Sequence, residues 1–150
     1  MIAVTQVVDR ADVSLYNRPD TQRMIENGLI VFLGVSKTDS EMDVNKLITK
    51  LLKLRIFPDG DKKMNLDIQT TKGQVLLISQ FTLLGNLHGG NRPDFFAAAD
   101  KEVALKLYEQ FADKLTKAGL SIKTGFFGEH MQINTILNGP VTIILDSQNL

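Results

Sequence analysis

Ser79, Gln80 and Thr82 interrupt the aliphatic stretch VLLISQFTLLG (75–85), and Asn138-Gly139-Pro140 interrupts ILNGPVTIIL (136–145). Each unpaired polar group in a buried strand costs roughly 1–3 kcal/mol. Two hydroxyls and an amide at the end of such a run are therefore either a strand end surfacing into solvent or the floor of a site. A conventional nucleophile has little support. Ser79 lies in LISQF, not in Gly-x-Ser-x-Gly. Thr82 has no general base beside it in the sequence. The two histidines, His88 and His130, lack metal-ligand spacing, no His-Glu-x-x-His occurs, and both read as surface or structural residues. With no cysteine there is no thiolate, no disulfide and no Cys-based zinc site.

The second interruption has its own logic. Pro140 cannot donate to a sheet ladder, yet it stands directly before the central-looking VTIIL. Gly139 lacks a Cβ, so another backbone or a ligand can come close to its main chain. X-Pro bonds are cis in only about 5–6% of folded cases, so the residues alone favour an ordinary trans turn here.

The elements that must carry these residues follow from periodicity. Residues 2–8 and 29–35 are predicted strands, with Asn17, Pro19 and Asn27-Gly28 punctuating the stretch between them. Thr38 and Glu41 have capping-box spacing. Val44, Leu47, Ile48, Leu51 and Leu52 then share one helical face as far as about Leu54. RIFPDGDKKMNLDI leads to an extended segment and a Lys72-Gly73 turn. QVLLISQFTL is predicted as a strand buried on both faces at its start, with Ser79 and Phe81 facing one way and Gln80 and Thr82 the other. LGNLHGGNRPD is a glycine-rich loop. Asp100 is a plausible N-cap for a second amphipathic helix through Ala104, Leu107, Tyr108, Phe111 and Leu115, closed by Gly119. SIKTGFF, MQINTIL and VTIIL complete the strands. Strands outnumber helices without alternating regularly, which predicts an α+β fold: a small barrel-like mixed sheet with two main packed helices.

The chain's 150 residues suit one domain, 1–150, and its 43% hydrophobic and 23% charged residues are an ordinary globular balance. No apolar run approaches the ~20 residues needed to span a bilayer. MIAVTQVVDR turns polar too soon for a secretory signal, and the expected location is the cytoplasm. Seventeen basic and seventeen acidic side chains cancel, so any nucleic-acid partner must be met by a local patch, for which Lys50, Lys53, Arg55, Lys62 and Lys63 are candidates.

Taken together, SQFTL (79–83) and NGPVT (138–142) resemble the paired motifs of the D-aminoacyl-tRNA deacylases, which proofread chirality. GLIVFLGV, RIFPDGDKKMNLDI, GNRPDFFAAA, LYEQF and TGFFGEHMQI match that family's pattern in order along most of the chain. The resemblance implies hydrolysis of the ester in D-aminoacyl-tRNA, and of glycyl-tRNA mischarged on tRNA-Ala, with L-aminoacyl-tRNA rejected. It implies a homodimer with its active site at the subunit interface, the 3′ end of aminoacyl-tRNA as ligand, and no cofactor, metal, DNA or membrane.

Carried over residue by residue, Ser79, Gln80, Phe81 and Thr82 form the pocket floor. Gln80, Phe81 and Thr82 are the catalytic candidates, with backbone N–H groups around Phe81 and Thr82 stabilising the oxyanion. Gly139 and Pro140, joined by a cis bond, reach in from the partner subunit. Phe127 and Met131 are candidates for contact with the terminal adenine by stacking and through the thioether; as residues alone they read equally as core. The family's mechanism leans on the 2′-hydroxyl of the terminal adenosine, which leaves Thr82 a positional role. Val7 stands where family members commonly have an Arg that helps to hold the Gly-Pro loop, and Arg10 is expected on the opposite face. An RNA-binding module without hydrolysis, and a small-molecule hydrolase or structural dimer, are the competing readings.

Overall fold

The computed structural model describes residues 1–150. Its centre is the parallel pair β3 (Gly28–Gly34) and β6 (Gln74–Ser79), in register from Gly28 opposite Gln74 to Leu33 opposite Ser79. Alternation along these two strands feeds two cores. Leu29, Val31, Leu33, Val75 and Leu77 point to the helices, whereas Ile30, Leu76 and Ile78 point into the curved interior of the sheet. Burial on both faces explains the unbroken apolar runs.

β1 (Ile2–Leu15) is much longer than residues 2–8. Its first half pairs antiparallel with β3, its second half with β2 (Arg18–Ile25), and its whole length with β8 (Met131–Asp146). The predicted punctuation at Asn17 is a hairpin turn, with Asn17 at φ 57°, and Pro19 falls near the start of β2. β7 (Ser121–Thr124) adds in parallel to β6. Arg23 of β2 then closes the sheet towards a barrel. Its Nη1 donates to the carbonyls of Thr124 (2.7 Å) and Gly125 (3.1 Å), and its guanidinium lies 4.0 Å from the centroid of the Phe126 ring. A small hairpin, β4 (Phe57–Pro58) and β5 (Met64–Leu66), lies apart.

α1 (Glu41–Leu52) and α2 (Lys101–Lys117) cover one face, burying Val44, Leu47, Ile48 and Leu51 from the first and Leu107, Tyr108, Phe111 and Leu115 from the second. Each large apolar side chain so buried contributes roughly 1.5–3 kcal/mol. The capping box of α1 is Ser40 with Asp43, not Thr38 with Glu41. Ser40 N and Oγ both donate to Asp43 Oδ2, at 2.8 and 3.0 Å, while Asp39 takes the Ser36 amide and the N-terminal ammonium. The spacing Ser-x-x-Asp does the same work with a shorter acid. Asp100 precedes α2 with no side-chain cap bond.

Two predicted strands merge. MQINTIL and VTIIL are one strand, β8, because residues 138–141 loop outward without breaking its pairing to β1 on either side. QVLLISQFTL does the reverse: the strand stops at Ser79, and Phe81–Leu84 form a 3₁₀ turn, so the predicted alternation of side chains does not extend past Ser79. SIKTGFF stays extended only to Thr124. No helix is long and apolar enough to cross a membrane.

Candidate active site

The site lies where β3 and β6 end. Beyond β3, Val35 and Lys37 bond to the segment before α2 (Ala99 N to Val35 O, 2.9 Å; Lys37 N to Ala97 O, 3.0 Å), which brings the start of α2 beside the end of β6. On the other side, Gly125 N donates to Leu77 O at 2.8 Å and carries the segment after β7 over the sheet interior. A Cβ at Gly125 would stand 2.9 Å from both Ile78 Cδ1 and Met131 Sδ, so a larger residue here would push these two side chains aside. Between these walls lies a cavity of about 450 Å³.

Ser79, Gln80, Phe81, Phe127 and Met131 all line it. Thr82 sits just past the floor, its Oγ1 accepting from Gln80 Nε2. Phe81 is half exposed and packs edge-on against Phe95 at 5.0 Å. The switch from strand to 3₁₀ turn at Gln80 makes the amides of Phe81 and Thr82 the first N–H groups of the turn, which have no acceptor within it. Phe127 leans on Tyr108 with centroids 5.5 Å apart, and Met131 Sδ accepts from Phe126 N at 3.2 Å.

Gly139 and Pro140 are elsewhere. They do not line the cavity of their own chain but stand exposed in the outward loop of β8, joined by a cis peptide bond. Val7, beneath that loop, is buried in the core, and Arg10 is exposed with its Nη2 4.0 Å from Asp12.

Sequence reasoning did not single out Tyr108, Lys101, Glu129 or His130 as pocket residues, yet all four line the cavity. Tyr108 carried a signal: a phenol in a helical apolar stripe must find a partner for its hydroxyl. Burial, partly offset by the nearby Gly125 backbone and Arg23, pushes that hydroxyl well above the ordinary tyrosine range, so it stays a neutral donor. Lys101, Glu129 and His130 carried none, because only the folded chain brings them to the rim. The His130 ring stacks on Tyr16 at 4.3 Å, with planes 2° apart. No three His, Asp or Glu side chains gather in a way that could hold a metal ion.

A polar strand end and two turn amides without an acceptor inside the turn, beside a largely apolar cavity, suit an acyl-transfer hydrolase that works by positioning. The D-Tyr-tRNA(Tyr) deacylase family profile matches residues 4–146, and the chain belongs to that family of ester hydrolases. It is 43% identical to the D-aminoacyl-tRNA deacylase of Thermosipho africanus, over 100% of this chain and 99% of that one. It is 45% identical to the protein of that name from Thermotoga petrophila, over the same shares of the two chains. Among solved structures, "c-Myc DNA Unwinding Element Binding Protein" superposes with a TM-score of 0.89 at 36% identity, covering 97% of this chain and 98% of that one. A probable eukaryotic D-amino acid tRNA deacylase, 18% identical, shares the fold with a TM-score of 0.81 over 96% and 97% of the two chains.

Proposed function

We propose that this chain hydrolyses the ester of D-aminoacyl-tRNA, releasing free D-amino acid and tRNA, and leaves L-aminoacyl-tRNA intact. The observation that carries this is the convergence of Ser79, Gln80 and Phe81 with Phe127 and Met131 on one cavity at the end of β6. The terminal adenosine lies along Phe127 and Met131, and the ester carbonyl faces the turn amides of Phe81 and Thr82. An aminoacyl ester is already reactive, so an oxyanion donor, worth roughly 2.7–4 kcal/mol, supplies more than a strong nucleophile would. The 2′-hydroxyl of the adenosine activates the water, and Thr82 positions.

Handedness is judged by main chain. A proofreader must accept many side chains while rejecting one configuration at Cα, so the discriminating contacts cannot be to the side chain. In the reading we favour, Gly139 and Pro140 of a second subunit enter the pocket, and their carbonyls collide with an L side chain. Two features support this. The loop is exposed and absent from its own chain's cavity, and β8 is a long edge strand presenting Ile136, Leu137 and Ile144 to solvent. Glycyl-tRNA mischarged on tRNA-Ala, having no side chain, passes the same filter. Such an activity belongs to translational proofreading in the cytoplasm.

The name of one solved relative speaks of DNA, but seventeen basic against seventeen acidic residues give this chain no excess charge for a duplex. A tRNA acceptor end needs few phosphate contacts. The test is to incubate the protein with D-tyrosyl-tRNA and L-tyrosyl-tRNA and follow ester loss. Fast loss of the D-form alone is expected; binding without turnover of either form refutes the reading.

A further inference from the structure

We propose that Asp9 and Gln6 are positioning residues, a two-footed clamp that sets the Gly139-Pro140 loop where it can reject an L-ester. The inference rests on the reading above, in which that loop judges handedness.

The strand register shows how the clamp is built. Gln6 faces Thr142 and Val8 faces Leu137, so the single residue Val7 spans residues 138–141 of β8. Arg10 then faces Ile136, which leaves Asp9 as one extra residue on β1. Two irregularities of opposite sense thus lie side by side, an outward loop in β8 and a bulge in β1. Val7 and Val8 are both buried, so alternation breaks at the bulge and Asp9 turns to the surface.

There Asp9 Oδ1 accepts from Asn138 Nδ2 at 2.7 Å, at the first foot of the loop. At the other foot, Gln6 Nε2 donates to Thr142 Oγ1 at 3.1 Å. The Asp9 bond is charge-assisted and the stronger kind. Between the feet, exposed Gly139 and Pro140 have no buried side chain to fix them. Exclusion by collision depends on where the carbonyls stand, and a displacement of about 1 Å is enough to change a rate 10²-fold. A loop freed at its feet therefore loses selectivity before the protein loses its fold.

The experiment compares kcat/KM for D- and L-tyrosyl-tRNA in the wild-type protein, Asp9→Ala, Gln6→Leu, and the double variant D9N/N138D, which reverses donor and acceptor. Asp9→Ala is expected to lower the D-over-L ratio about tenfold, equivalent to about 1.4 kcal/mol, chiefly by raising L-ester turnover, with little change in the urea midpoint. Gln6→Leu is expected to move the ratio the same way, and the reversed pair to restore it. Unchanged ratios in both single variants, or equal losses on both substrates, overturn the clamp. So does a folded reversed pair whose ratio stays low. A wild-type protein that cleaves both hands alike overturns the parent reading, and the clamp with it, before any substitution is made.

Discussion

The Tyr108 hydroxyl donates to the Leu77 carbonyl at 2.7 Å, an acceptor it shares with the Gly125 amide at 2.8 Å. One oxygen of β6 thus ties down α2 and the segment after β7, the two walls of the cavity. Tyr108→Phe removes one donor and leaves the other, so no buried carbonyl is orphaned. The expected cost is about 1 kcal/mol, read as a lower urea midpoint, with the Phe127 contact kept.

The same hydroxyl makes stability depend on alkaline pH. Burial raises its folded value above the ordinary tyrosine range. The unfolded chain therefore loses this proton first, from about pH 10. Above that point it binds fewer protons than the native state, and stability falls as pH rises. Denaturant titrations from pH 9 to 11 are expected to show that fall in the wild-type protein and a shallower one in Tyr108→Phe. Identical slopes would contradict it.

Thr82 accepts from Gln80 at the edge of the floor. If it positions rather than attacks, Thr82→Ala retains D-ester turnover within about tenfold, the span of one lost hydrogen bond of about 1.4 kcal/mol. A single-turnover rate as slow as spontaneous hydrolysis would make Thr82 the nucleophile.

Gly139 has φ +126°, where an added Cβ would clash with the Val141 amide nitrogen and stand 2.7 Å from its Cγ2. Gly139→Ala is expected to destabilise the exposed loop by about 1–3 kcal/mol. The D-over-L ratio falls with it, by up to about 10²-fold, because the carbonyls that exclude the L side chain move. Wild-type turnover and selectivity in this variant would exclude the loop from the site.

Ile144 is 69% exposed on the β8 edge. Lysine is a usual device for blunting such an edge. In the proposed shared-site dimer, Ile144→Lys is expected to separate the subunits in sedimentation velocity and to remove D-ester turnover with them. A fully active monomer would refute a shared site.

Local periodicity is a sound guide where one rule governs a segment. It places α1 and α2, the strand β3 and the both-face burial at the start of β6, though not the stop of β6 at Ser79. It fails where two local signals compete. Thr38-Glu41 and Ser40-Asp43 have the same spacing, and the choice falls to Ser40 because Asp43 also accepts from Ser147 Oγ at 2.8 Å, across 104 residues. Asn138-Gly139-Pro140 reads locally as a terminator, yet β8 runs through it, since β1 supplies pairing partners on both sides of the loop.

Chain order and residue type were enough for the α+β class and the two amphipathic helices, because each depends on neighbours within a few residues. Tertiary structure alone decided that Tyr108, Lys101, Glu129 and His130 meet Ser79 and Phe81 around one cavity, that Arg23 draws the sheet closed, and that Asp9 grips Asn138. Those contacts join residues tens of positions apart, through directions set by bulges and packing, and no local pattern encodes them.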